Sequence, residues 1–270
     1  MEGNLARFDD QGITSAVVSP WLDIGGYELP ADEGAAWARF LNEQMLETIR
    51  DHPRLAAMAT VPLQDGTLAA QEVEVAHDLG FAGVEIGTSV GDVELDDPSL
   101  AVFWQSLNDH GMPVFLHPMF RRTEKRIHDD FAFGLANSVG RIVDTTIAVS
   151  RLLFSGTLES VPNVKLLVAH GGASIPYIAG RLRRTYQIAP DKMADPDLGF
   201  RNLFFDSVLF DTTALRSLVH LVGHDRVVLG SDNPFPNRDP DPCRVVLDAF
   251  QDEERRAAVL GRNAQEIFRI

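Results

Sequence analysis

What this 270-residue sequence lacks narrows it before anything it contains. There is one cysteine, Cys243, so no intrachain disulfide can form, and its surroundings (Asp239 to Arg244, DPDPCR) hold neither a CxxC motif nor a nearby histidine. A reducing, cytoplasmic compartment is the expectation. No run approaches the roughly 18 consecutive apolar residues of a membrane span, and the opening MEGNLARFDD is acidic where a secretory signal would be basic and then apolar. Basic charge is also scarce. Lys and Arg total 24 against 39 Asp and Glu, a formal charge of −15, and such a field repels phosphate backbones and anionic lipid surfaces. Nucleic-acid and membrane partners are not expected. No glycine-rich dinucleotide loop follows an early strand, and solenoid-period repeats and low-complexity tracts are missing.

What is present is ordinary globular composition, 45% hydrophobic and 23% charged, with no linker-like boundary, so one domain over residues 1–270 is expected. Short apolar runs recur at Ile13 to Ser19, Ala56 to Leu63, Gly83 to Gly87, Pro113 to Pro118, Val164 to His170, Leu203 to Ser207 and Val228 to Asp232. Most are near-continuously hydrophobic, as parallel strands buried on both faces require. Between them lie helical patterns: Asp32 to Arg50, Thr67 to Leu79, Pro98 to His110, Asn137 to Glu159, Ser174 to Tyr186, Thr212 to Val222, Asp241 to Phe250 and Glu253 to Phe268. Asp65 and Asp97 stand where helix caps belong. Strict βα alternation over seven units predicts an α/β (β/α)8-type TIM barrel whose first strand is missing; a doubly wound open sheet is the competing architecture.

Three strand ends carry ligand-type or acid/base side chains: His117 after VFL, His170 after LLVA and Asp232 after VLGS. A lone histidine at a strand end is more often structural, and Asp before Asn-Pro is commonly a turn former. Three such residues, each followed by small or turn residues (HP, HGG, DNP), would meet at one barrel mouth and form a site. Asn233 to Pro242, NPFPNRDPDP, reads as a loop over that mouth. Trp21 stands where it would wall a ring-shaped substrate or pack a lid, and Asp206 where it would orient a reactant or cap a loop. Arg121, Arg122, Lys125 and Arg126 follow the His117 loop and would focus acidic substrates, or simply be solvated. The histidines at 52, 77, 110, 128, 220 and 224 lack ligand spacing.

VFLHP at His117, LLVAHGGASIPYIAGR from Leu166 to Arg181, LFFDS, VVLGSDNPFP and GRNAQEIF together resemble the metal-dependent amidohydrolase superfamily, in the branch of 2-amino-3-carboxymuconate-6-semialdehyde decarboxylase, over almost the whole chain. The resemblance implies a barrel with a catalytic divalent metal, usually zinc, in which His117 and Asp232 match metal ligands and His170 the catalytic histidine. The family's HxH pair of ligands on the first barrel strand has no counterpart here. Zinc would therefore bind weakly and below one ion per chain. Arg181 matches an arginine that reaches a partner subunit's site to bind substrate carboxylate, which implies a homodimer. The activity implied is decarboxylation of a small unsaturated or aromatic carboxylic acid. Hydrolysis of a C–N or lactone bond, or a non-catalytic homologue binding an acidic metabolite, stays open.

Overall fold

The computed structural model describes residues 2–119 and 132–270. Seven parallel strands pair in strict chain order: Ala16–Val18, Leu55–Ala59, Gly83–Ile86, Val114–Leu116, Leu166–Val168, Leu203–Asp206 and Val227–Val228. All seven expected strands are present. An order without reversal has no topological switch point, which removes the doubly wound alternative. A small antiparallel hairpin, Ser89–Val90 with Val93–Glu94, is an addition that the sequence reading did not contain.

Every strand is shorter than its apolar run, and the first and last show a physical reason. The first begins at Ala16 because the carbonyls of Ile13 and Thr14 accept from the Arg54 guanidinium instead of from a neighbouring strand. The last ends at Val228, after pairing with Phe205 and Asp206. Beyond it, the Gly230 N–H donates to the Ser207 hydroxyl at 3.1 Å, so Asp232 sits on a turn past the strand and not at its end.

Alternation along the strands sorts two cores. Ala57, Ala59, Val84, Ile86, Val114, Leu116, Leu166, Val168, Leu203, Phe205 and Val227 pack outward against helices including Gly66–Asp78, Ala101–His110 and Arg141–Phe154. The residues of opposite parity, Val17, Met58, Phe115, Leu167, Phe204 and Val228, form a second cluster closed by Ile267 and Phe268 of the C-terminal helix Asn263–Phe268. That second cluster is the barrel interior. Two residues further along the same inward parity the chain turns polar: Ser19, Thr60, His117 and Asp206, with Glu85 between Val84 and Ile86. An apolar floor thus gives way to a polar mouth at the C-terminal ends of the strands, where barrels build their sites.

No ladder joins the first strand to the seventh among the described residues. The gap is spanned by the helix Glu2–Asp10. Arg7 Nη1 donates to Asn233 Oδ1 at 2.5 Å and Gln11 Nε2 to the Pro240 carbonyl, both beyond the seventh strand, while Asp9 pairs with Arg54 at 2.6 Å just before the second. Many acidic residues serve as helix caps: Asp65, Asp97, Asp195, Asp211, Asp241 and Asp252 each accept from backbone N–H groups in the first turn of the helix they precede. The expected caps at Asp65 and Asp97 are among them.

The long helix Ala31–Ile49 is fastened to the second strand by Asn42, whose amide nitrogen donates to the Thr60 carbonyl at 3.0 Å while its oxygen accepts from the Thr60 N–H at 2.9 Å. The same amide reaches Glu72, which is held by Arg39 through two nitrogens at 2.9 and 2.6 Å. Asn42 is buried. Asn42→Ala would leave the backbone N–H and C=O of Thr60 unpaired, and we expect it to cost about 2–3 kcal/mol in urea denaturation, against a change under about 0.5 kcal/mol for an exposed control such as Gln44→Ala.

Candidate active site

His117 follows the fourth strand and extends its ladder, its N–H donating to the Ile86 carbonyl at 3.0 Å. Its inward parity aims the ring at the mouth. His170, past the fifth strand, adopts a left-handed backbone (φ 57°), as does Gly171 (φ 63°), a costly conformation for histidine. Asp206 sustains it: the carboxylate accepts from the N–H of His170 (3.0 Å), of Gly171 (2.7 Å) and of Val208 (3.1 Å). Of the two roles open to Asp206, the structure gives it the capping one. Gly171 and Gly172 are required where they stand, since a Cβ on either would fall within 2.6 Å of the Leu209 or Phe205 side chain.

The sheet curls enough to bring distant strands together. In a flat sheet the fourth and seventh strands would stand roughly 14 Å apart. Here His117 Nε2 lies 3.5 Å from one Asp232 oxygen and His170 Nε2 lies 3.9 Å from the other, with the two imidazole centroids 5.1 Å apart. One donor atom from each residue falls within 4.8 Å of the others. Burial opposes ionisation of Asp232, but the hydrogen bonds and charges of His117 and His170 outweigh it and hold the carboxyl well below the usual range. Burial pushes the His117 pKa down, against the pull of Asp232. A neutral imidazole and a carboxylate are the forms that bind metal.

Metal bonds of about 2.0–2.2 Å place ligand atoms about 3–4.4 Å apart around one ion. The two distances to Asp232, 3.5 Å from His117 and 3.9 Å from His170, lie in that range, and the three donor atoms as a set fall within 4.8 Å. His170 Nδ1 is buried with no hydrogen-bond partner among the described residues, and Nε2 is the nitrogen that faces the cluster.

Aromatic groups roof the cluster. Phe235, from the turn-rich loop, lies parallel to the His117 ring (centroids 6.5 Å, 10°) and edge-on to Trp21 (6.2 Å, 65°). Trp21 is therefore at the mouth, 55% exposed. Arg181 lies on the helix Ile175–Ile188, exposed, with no hydrogen bond or ion pair to the three clustered residues. The cluster of Arg121, Arg122, Lys125 and Arg126 lies outside the described residues, as does His128.

Glu85 was missed. It is almost fully enclosed on the inner face of the third strand, and its pKa is pushed up to about 8, first by burial and then by the charges of Asp23 and Asp232, with a hydrogen bond from Ser19 acting the other way. Its signal in the sequence was a single acid in the apolar run GVEIG. A carboxyl that stays protonated in the fold but ionises in the unfolded chain loses relative stability as pH rises from the ordinary carboxyl range to about 8. Glu85→Gln cannot ionise. Its melting temperature relative to the parent should therefore climb across that window and level off above it; a difference that is flat with pH would show that Glu85 ionises normally in the fold.

Among the described residues no helix is long and apolar enough to cross a membrane. Residues 23–270 match the amidohydrolase family. The chain is 30% identical over 251 residues to 2-amino-3-carboxymuconate-6-semialdehyde decarboxylase of Dictyostelium discoideum, covering 90% of this chain and 69% of that one. It is 27% identical over 280 residues to gamma-resorcylate decarboxylase of Polaromonas sp. (97% and 85% covered). Among solved structures, 5-carboxyvanillate decarboxylase of Sphingomonas paucimobilis superimposes with a TM-score of 0.89 at 28% identity, over 99% of this chain and 82% of that one. A dihydroxybenzoic acid decarboxylase of Polaromonas sp. JS666, holding manganese and 2-nitroresorcinol, shares the fold at TM-score 0.91 and 24% identity, over 100% and 86% of the two chains.

Proposed function

Because this chain belongs to the amidohydrolase family, we propose that it is a metal-dependent decarboxylase of a small aromatic or unsaturated carboxylic acid. The observation that carries this reading is the convergence of His117, His170 and Asp232, with donor atoms within 4.8 Å, at the mouth of a barrel whose relatives are decarboxylases.

His117 and Asp232 would hold the divalent cation, zinc or another such as manganese, which when bound supplies positive charge to bind and polarise an oxygen of the acid. The remaining chemistry belongs to this chain. When the bond between the carboxyl carbon and the ring or alkene carbon breaks, carbon dioxide leaves and the electron pair stays on that carbon, which must be protonated. His170 is placed to deliver this proton from Nε2, the nitrogen facing Asp232, and to regain one from solvent. The Asp206 carboxylate keeps that imidazole aimed at the mouth through the backbone it ties down. Trp21 and Phe235 offer apolar faces to the substrate's ring or alkene.

Arg181 supports a shared site in a homodimer: it is exposed and makes no ion pair among the described residues, which leaves its guanidinium for the carboxylate at a second subunit's mouth. Light scattering should return a dimer, and Arg181→Ala should weaken carboxylate binding while leaving the melting temperature in place. A monomer, or unchanged binding, would remove the arginine from the site.

Metal analysis of the purified chain should give less than one zinc per chain, because two imidazoles and one carboxylate are the whole donor cluster among the described residues. His117→Ala should remove most of it. With metal supplied in excess, the chain should release carbon dioxide from a panel of hydroxylated benzoates and unsaturated acids. His170→Asn should lower kcat by about 10²–10⁴-fold when measured at saturating metal. Hydrolysis of lactones or amides with no carbon dioxide from any acid would replace the decarboxylase reading with a hydrolase.

A further inference from the structure

On the face opposite the mouth, the N-terminal ends of the middle strands frame an open cavity of about 540 Å³. Lys165 stands one residue before the fifth strand and Arg201 two before the sixth, and the pairing of Leu166 with Leu203 keeps the two approaches side by side. Arg269 enters the same cavity from the end of the helix Asn263–Phe268. Its backbone is left-handed there (φ 55°), and its guanidinium lies so near Gly111 that a Cβ on that glycine would fall 3.1 Å from Nη2. Three cations from three separate segments thus line one cavity in a chain whose formal charge is −15.

None of the three has an acid for a partner. Among the described residues Lys165, Arg201 and Arg269 form no ion pair, whereas Arg39, Arg54, Arg151, Arg183 and Arg262 each hold a carboxylate. Asp109 is the one acid among the residues that line the cavity, and its Oδ1 already accepts from the Gln105 amide at 2.7 Å. Lys165 gives one Nζ–H to the Glu266 carbonyl at 3.0 Å and keeps two donors free. Burial and then the charge of Arg269 push the Lys165 pKa down, with Glu266 acting the other way. An anion between the two cations would offset their repulsion.

The walls are fixed before any ligand arrives. The Asn163 N–H donates to Asn108 Oδ1 at 3.0 Å, and the Asn202 amide holds the carbonyls of Val161 and Val164 at 2.9 and 3.0 Å, which ties down the segment leading to Lys165. Arg226 Nη1 donates to the Arg201 carbonyl at 2.8 Å, which ties down the segment carrying Arg201. Binding would therefore order little more of the chain, and a small ligand can be held by charge and hydrogen bonds alone. Phe204 belongs both to the cavity wall and to the inner cluster sealed by Ile267 and Phe268, the residues just ahead of Arg269, so an anion here would also brace the barrel floor.

We propose that this cavity is a second binding site, separate from the mouth, for a small, multiply charged oxyanion held by the guanidinium groups of Arg201 and Arg269 and the ammonium of Lys165. Phosphoryl and polycarboxylate ligands share that chemistry, since both present several charged oxygens to a guanidinium fork.

The test is calorimetry on the purified full chain with inorganic pyrophosphate and with propane-1,2,3-tricarboxylate at constant ionic strength, beside melting curves in the same anions. One anion should bind per chain, and the melting temperature should rise with its concentration. Arg201→Gln and Arg269→Gln should each weaken binding about tenfold, the amount one charge-assisted hydrogen bond supplies. In anion-free buffer Arg201→Gln should melt with the parent, because the Arg201 side chain has no partner among the described residues. Arg255→Gln removes the same charge from an exposed position elsewhere and should leave binding unchanged. His117→Ala, altered at the metal cluster, should bind both anions as the parent does. Tighter binding of pyrophosphate would assign the site to a phosphoryl ligand, and tighter binding of the tricarboxylate to a carboxylate one; either supports it. No saturable binding, equal losses in Arg201→Gln and Arg255→Gln, or a loss confined to His117→Ala would overturn the proposal, the last by placing the anion at the metal cluster. No readout here involves carbon dioxide release, so the site and the decarboxylase reading stand or fall separately.

Discussion

Asp206 is the residue on which the mouth depends. Its carboxylate takes the N–H groups of His170, Gly171 and Val208, and so makes tolerable a left-handed turn that histidine would otherwise avoid. Without that turn the chain leaving the fifth strand would run on toward its helix and the imidazole would point elsewhere. Three backbone donors occupy most of the acceptor sites of this one buried carboxylate. Asp206 thus serves geometry, holding the backbone that carries His170.

The inner face of the barrel explains why the site is where it is. Strands buried on both sides need apolar residues at every position, yet the inward positions turn polar near the C-terminal ends, from Phe115 to His117 and from Phe204 to Asp206. The floor is sealed by Ile267 and Phe268, which excludes water from below. Charges placed above such a floor interact strongly, since little solvent screens them. This is why Asp232 is held ionised by its two histidines while Glu85, in the same mouth with a serine for its partner, is held protonated. Two carboxyl groups in one cavity thereby receive opposite charge states and can serve different ends.

The helix Glu2–Asp10 lies between the first and seventh strands of the described sheet. An unpaired strand edge is a template for association. Here Arg7 and Gln11 tie the helix Glu2–Asp10 to the loop past the seventh strand, and Arg54 ties its end to the approach to the second. The same loop carries Phe235, which stacks on His117. One loop therefore contacts both the helix Glu2–Asp10 and the His117 ring.

Much of this was determined by the sequence alone. Seven apolar runs separated by helical patterns specify seven parallel strands, because only a sheet covered on both faces tolerates them, and HP, HGG and DNP after three of the runs mark the residues that meet. Local chemistry decided these features: side-chain period, turn residues and cap residues each act within a few positions. Tertiary structure alone decided the rest. Nothing near Glu85 in the chain tells that it faces Ser19, Asp23 and Tyr27, since those neighbours come from another strand and the turn beyond it. The capping role of Asp206 required knowing that the sixth strand runs beside the fifth. Phe235 over His117 likewise joins residues more than a hundred positions apart. Charge state and hydrogen bonding depend on what packs nearby in space, and a curled sheet makes neighbours of residues that the chain keeps apart.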